Sequence, residues 1–175
     1  MPKILPLALA TLMALPALPA WAEKGMNVIS SAVPQAAARG EVTMRWYGFP
    51  LYDATLFTPA GAQFDWQNPV ALRLIYARTI KQDAFLTATM AELERIEGKR
   101  ADHPQIARKL EPCYRNASAG DHFIAQSISA NQVTLWFNGI KTCDLRHTQI
   151  RERFLGIWLS DQSRSARLSK RLRGE

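Results

Sequence analysis

The sequence predicts an α+β domain, an antiparallel sheet with helices packed on one face. Three observations carry that prediction: three β-rich runs in close succession between residues 40 and 77, a helical repeat of apolar residues in the middle, and a hairpin signal followed by a last helical stretch. Alternating strand–helix units of a parallel sheet do not place three strands before the first long helix. At 175 residues and 47% hydrophobic, the chain is long enough to bury one core. It shows no repeat and no biased tract, which excludes a solenoid or a disordered chain.

The N-terminus reads as an address. Lys3 precedes an almost wholly apolar run from Ile4 to Leu18, and Ala20-Trp21-Ala22 is followed by Glu23. A charge, an apolar run and a small-x-small box in that order mark residues 1–22 as a signal peptide cut between Ala22 and Glu23. Pro16 and Pro19 break a helix before the cut. The expected location is the periplasm or another exported compartment. No other stretch is long and apolar enough to span a bilayer, which excludes an integral channel or transporter. Residues 23–39, small and interrupted by Pro34, are expected to be a flexible lead-in to a domain over 40–175.

In that domain Val42, Met44 and Trp46 alternate with Thr43, Arg45 and Tyr47 as a first strand. Gly48 and Pro50 interrupt it, Leu51 to Phe57 is a second strand, Thr58-Pro59-Ala60-Gly61 a turn, and Val70 to Ala77 a third strand. From Lys81, Phe85, Leu86, Met90, Leu93 and Ile96 recur at helical spacing until Gly98. Asp102 and Pro104 start a second helix with Ile106, Leu110 and Tyr114 on one face, and Pro112 ends or kinks it. Phe123 to Ile128 and Val133 to Phe137 form a hairpin, and Asn138-Gly139 is a turn dipeptide. A last helix is expected next, turning Leu145, Ile150, Phe154, Ile157 and Trp158 to the core.

Cys113 and Cys143 are the two cysteines. In an oxidising compartment they read most simply as one disulfide, the other reading being two buried thiols. Phosphate-binding Gly-rich loops, His-Glu-x-x-His and Gly-x-Ser-x-Gly are all absent. His103, His122 and His147 fall in separate elements without the close pairing of zinc ligands, so no metal and no cofactor is expected. The net charge of +7 is concentrated at the end of the chain, in Arg164, Arg167, Lys170, Arg171 and Arg173. This cluster reads either as a solvated helix end or as a surface for an anionic membrane or acidic partner. Nucleic acid is not an expected partner, since basic and aromatic residues are not interleaved. Arg45 is a charge among apolar residues, on the face opposite Met44 and Trp46. It either faces solvent or pairs with an anion such as a ligand carboxylate.

Several segments together resemble the chalcone isomerase-like family, in its bacterial exported branch. They are Arg45-Trp46-Tyr47-Gly48-Phe49-Pro50-Leu51-Tyr52-Asp53-Ala54-Thr55-Leu56-Phe57, then Leu72 to Tyr76, Tyr114 with Gly120-Asp121, Leu135 to Gly139, and Phe154 to Asp161. The resemblance implies an open-faced β-sandwich with a ligand cleft between sheet and helices. Its members either close a chalcone ring without a cofactor or bind fatty acids without chemistry. In the second group an arginine and a tyrosine hold the carboxylate, and Arg45 and Tyr52 resemble that pair. For the isomerase set, Arg45 is joined by Thr55, Tyr114, Asn116 and Thr142 as available groups, but no complete constellation is legible. The reading is therefore a non-catalytic binder of a small apolar or carboxylate ligand, with Leu51, Leu74, Phe85 and Leu135 around the tail or in the core. A cofactor-independent isomerase and an envelope interaction protein using the basic C-terminus are the alternatives.

Overall fold

The computed structural model describes the backbone of residues 20–175 and side chains from residue 25. The apolar run expected to be a signal peptide lies outside the described residues, apart from the helical backbone from Ala20, and so do the side chains at the Ala22/Glu23 cut. Six strands form one antiparallel sheet in sequence order: β1 Ala36–Trp46, β2 Phe49–Pro59, β3 Val70–Tyr76, β4 His122–Ser129, β5 Gln132–Phe137 and β6 Ile140–Arg146. Helices α2 Gln82–Glu97 and α3 His103–Leu110 are inserted between β3 and β4. Helices α4 Ile150–Leu159 and α5 Ala166–Arg173 follow the sheet, and α1 Ala20–Ala32 precedes it. Among the described residues no helix is long and apolar enough to cross a membrane.

Strand alternation builds the main core. Val42 of β1, Ala54 and Leu56 of β2, Leu72 and Leu74 of β3, Phe123 of β4 and Leu135 of β5 face α2–α5. From the helices, Phe85, Leu93, Ile106, Leu110, Phe154 and Leu155 meet them. Gly98, at φ +73, ends α2 with its N–H on the Glu94 carbonyl, as expected of a glycine stop. Pro104 opens α3, and a short 3₁₀ turn at Glu111–Cys113, carrying Pro112, ends it.

Three expectations need correction. Residues 23–39 are not a loose lead-in: α1 runs to Ala32 and β1 starts at Ala36. Ile29 and Val33, an i,i+4 apolar pair, are fully buried against Phe57, Ala71 and Ile124. Gln126 also donates from its amide to the Val28 carbonyl. Four helices thus pack on one face as expected, while α1 covers part of the other. Leu145, assigned to the last helix, lies instead in β6, Ile140–Arg146, and the helix starts at Ile150. Asn138 and Gly139 have φ of 50° and 79°, the signs of a two-residue primed turn, so Ile140 pairs with Phe137 and the chain returns as a strand. Finally, Asp102 occupies the N-cap position of α3 but makes no capping bond. Its carboxylate is taken by Arg153.

A disulfide links Cys113, at the end of α3, to Cys143 on β6, with 5.2 Å between Cα atoms. Helix α5 lies against β1 at Gly40, where an added Cβ would run into the carbonyl oxygens of Arg171 and Leu172. Arg39 donates to the Arg173 carbonyl at 2.9 Å and the Gly174 carbonyl at 2.9 Å, fixing the end of the helix. Gly40→Ala is expected to push α5 off the strand and cost about 1–3 kcal/mol. A thermal melt reads it, and an unchanged midpoint would show that the approach is not tight.

Candidate functional site

The sheet and helices do not close completely over one another. A cavity of about 540 Å³ remains between them. Its floor is the helix-facing side of the sheet, with Val42, Met44 and Trp46 on β1, Tyr52 on β2, and Leu74 and Tyr76 on β3. Its roof comes from Phe85, Ala88 and Thr89 of α2, Ile157 and Trp158 of α4, and Leu168 and Leu172 of α5. Leu51 and Leu135 join Leu74 and Phe85 in the lining, so all four apolar positions singled out in the sequence reach it. Exposed lining residues mark the mouth: Trp46 on the edge strand β1, Ala84 and Ala88 on α2, and Arg164 in the α4–α5 connection.

The lining is largely apolar, and several of the polar groups that reach it are hydrogen-bonded. The Trp158 indole N–H donates to the Tyr52 hydroxyl oxygen at 3.0 Å. Burial, with a smaller contribution from the Glu92 carboxylate, pushes the Tyr52 phenol up to about 12 against the opposing effect of that bond. Tyr52 therefore stays protonated at neutral pH and can donate its own O–H. Thr89 and Tyr114 hydroxyls lie 2.7 Å apart, and burial holds Tyr114 well above the ordinary phenol value. Tyr76, Phe85, Tyr114 and Phe123 form an edge-to-face and stacked aromatic cluster at that end.

At the mouth, Arg164 donates through Nε to Glu92 Oε1 at 2.9 Å, and Arg95 donates to Glu92 Oε2 at 2.9 Å. Burial alone would raise the Glu92 carboxyl, but the two guanidiniums outweigh it and hold it below the usual value. The Arg164 side chain is 56% exposed while Glu92 is 14% exposed, and Arg95 holds the second Glu92 oxygen, so Glu92 keeps a cationic partner when Arg164 turns to another anion.

The structure separates the two residues singled out as a carboxylate clamp. Tyr52 lines the cavity, whereas Arg45 is exposed on the other face of β1 and donates to the Gly48 carbonyl at 3.2 Å. The cation that does reach the lining is Arg164, read in the sequence only as part of a basic end. Nothing local marks it, because Glu92 is 72 residues away. Of Thr55, Tyr114, Asn116 and Thr142, only Tyr114 lines the cavity. Thr55 faces Arg73 on the opposite side of the sheet, Asn116 accepts from the Gln82 N–H, and Thr142 donates to the Leu135 carbonyl.

The histidines are placed elsewhere. His122 is buried at the start of β4, near α1. His103 and His147 converge on an ionic cluster around Arg153, formed with Glu97 and Asp102. Among the described residues no group of His, Cys, Asp and Glu has the arrangement of a metal site. The basic C-terminus is divided: Arg164 pairs with Glu92, Arg173 is buried against Asp161 and Glu175, and Arg167, Lys170 and Arg171 are exposed.

A family model described as chalcone isomerase-like matches residues 34–174. Among solved structures, the chain is similar to a fatty-acid binding protein of Arabidopsis thaliana. The TM-score is 0.61 at 8% identity, covering 81% of this chain and 88% of that one, a likeness of fold. No curated protein sequence matches.

Proposed function

The chain belongs to the chalcone isomerase-like family, and from that membership and its cavity we propose that it is a non-catalytic, exported module that binds a fatty acid or similar amphiphile. The observation that carries this reading is the largely apolar cavity of about 540 Å³ between sheet and helices, a volume suited to a small ligand. The acyl tail lies along Leu74, Phe85 and Leu135. The carboxylate sits toward the mouth, where Tyr52 donates its hydroxyl proton and Arg164 exchanges Glu92 for the ligand. The fatty-acid binding neighbour supports this class of ligand. Export is supported by the Cys113–Cys143 disulfide and by the N-terminal apolar run ending at Ala20-x-Ala22. The isomerase reading has less support, because only Tyr114 among its available groups faces the cavity.

The test is titration of the delipidated protein with a long-chain fatty acid. Arg164→Ala is expected to weaken binding about tenfold, the usual effect of losing a charged hydrogen bond. Arg45→Ala is expected to leave affinity unchanged. The reverse pattern would return the head group to Arg45, and no binding by the wild type would remove the reading altogether.

A further inference from the structure

We propose that the tip of the β1–β2 hairpin docks the cavity mouth onto an anionic lipid bilayer. The proposal takes its purpose from the reading of the cavity as a lipid site, because docking there would let an acyl chain pass between bilayer and protein.

Three aromatic side chains are exposed at this one turn: Trp46 at 50%, Tyr47 at 86% and Phe49 at 63%. Trp46 and Phe49 are direct cross-strand partners, and the Tyr47 ring meets Trp46 edge-on at 5.2 Å. Isolated apolar side chains on a surface are ordinary, but three exposed aromatics gathered at one hairpin tip form a patch. Tyr47 sits at φ +49, in a two-residue turn whose first position favours asparagine or glycine. A large aromatic there packs nothing inside the protein, so the turn carries a poor turn-former without gaining core.

Two cations flank the patch. Arg45 reaches back to the Gly48 carbonyl at the turn, and the Arg78 guanidinium lies 5.9 Å from the centre of the Phe49 ring. Both are exposed. The nearest acid on the hairpin, Asp53, accepts from the Thr43 hydroxyl at 2.5 Å, and Asp83 lies beyond Lys81 in the first turn of α2. Aromatic rings beside arginines match the chemistry of an anionic bilayer interface: rings at head-group depth, guanidiniums on phosphates. The patch is also continuous with the cavity, since Trp46 belongs to both. Arg45, which does not reach the cavity, thereby acquires a role at its entrance.

The experiment is co-sedimentation of the purified protein with large vesicles of phosphatidylglycerol and phosphatidylethanolamine, with pure phosphatidylcholine as control. Binding is expected to the first, weakened by added salt, and to be marginal to the second. Tyr47→Asn/Phe49→Thr keeps residues suited to the turn and strand and lies outside the cavity lining. It is expected to lower vesicle affinity at least about tenfold, the scale of removing two interfacial rings, while leaving fatty-acid affinity in solution unchanged. Arg45→Glu/Arg78→Glu is expected to abolish the preference for anionic vesicles. Wild-type protein that ignores anionic vesicles yet binds fatty acid would overturn docking and leave the cavity reading standing. Vesicle binding without fatty-acid binding would do the opposite. A wild-type dimer that Tyr47→Asn/Phe49→Thr makes monomeric, with vesicle binding unaltered, would overturn docking in favour of self-association.

Discussion

Arg153→Ala is expected to destabilise the protein by about 3–5 kcal/mol, the range for removing one partner of a buried ion pair. The Arg153 side chain is 6% exposed. It donates through Nε to Glu97 Oε2 at 2.9 Å and through Nη2 to Glu97 Oε1 at 2.6 Å. Nη1 reaches Asp102 Oδ2 at 2.8 Å, and the His103 ring lies 2.7 Å from Glu97. This cluster ties the end of α2 and the start of α3 to α4, so its loss loosens the roof of the cavity. Arg153→Lys is expected to recover only part of the loss, because one ammonium cannot serve both carboxylates in a planar fork.

The pH dependence follows from the same contacts. Arg153, the main cause, holds the Asp102 carboxyl at about 2. For Glu97, burial pushes upward, but Arg153 and His103 outweigh it and lower the carboxyl. A depressed folded value gives stability that is present above the unfolded value and is lost as pH falls through the folded one. The stability gap between wild type and Arg153→Ala should therefore be full at neutral pH. It should narrow as pH falls from about 4, the ordinary carboxylate value, through about 2. Urea midpoints measured across that range check it, and a constant gap would show that the carboxylates do not depend on Arg153.

Replacing both cysteines, Cys113→Ala/Cys143→Ala, is expected to cost about 3–4 kcal/mol by the loop-entropy estimate for a bridge 30 residues apart in sequence. Because β6 is an edge strand, its far side has no neighbour in the sheet. The bridge ties it to the end of α3, and Leu145 alone anchors its side chains fully in the core. The double variant, compared with wild type with and without reductant, should match reduced wild type. Equal urea midpoints for oxidised and reduced wild type would show that the bridge contributes nothing.

Much of the architecture was legible because its signals are local. The alternation from Val42 to Trp46, the β-rich run from Val70 to Ala77, the helical spacing of Phe85, Leu86, Met90, Leu93 and Ile96, and the stop at Gly98 each act within one element. β6 was not legible, since Ile140-Lys141-Thr142-Cys143-Asp144 is polar and largely solvent-facing. Only the primed turn at Asn138-Gly139 signals it, and that turn specifies a returning strand rather than a helix. Helix α1 was hidden for another reason. Its residues after Ala22 are mixed with small ones and followed by Pro34, and Ile29 and Val33 gain their role only from the sheet face beneath them.

At the site, the sequence by itself determined the family pattern, the apolar positions Leu51, Leu74, Phe85 and Leu135, and the fact that Arg45 lies opposite Met44 and Trp46. A strand's period of two imposes that last point whatever surrounds it. The tertiary structure alone decided which of the two faces holds the cavity. That choice depends on where α2, α4 and α5 pack, and it sends Tyr52 into the cavity and Arg45 away from it. It likewise brought Arg164 to Glu92 and Arg153 to Glu97, pairs 72 and 56 residues apart. Charge pairing at such distances leaves no periodicity in the chain, because it is set by the folded surface and not by the backbone's own repeat.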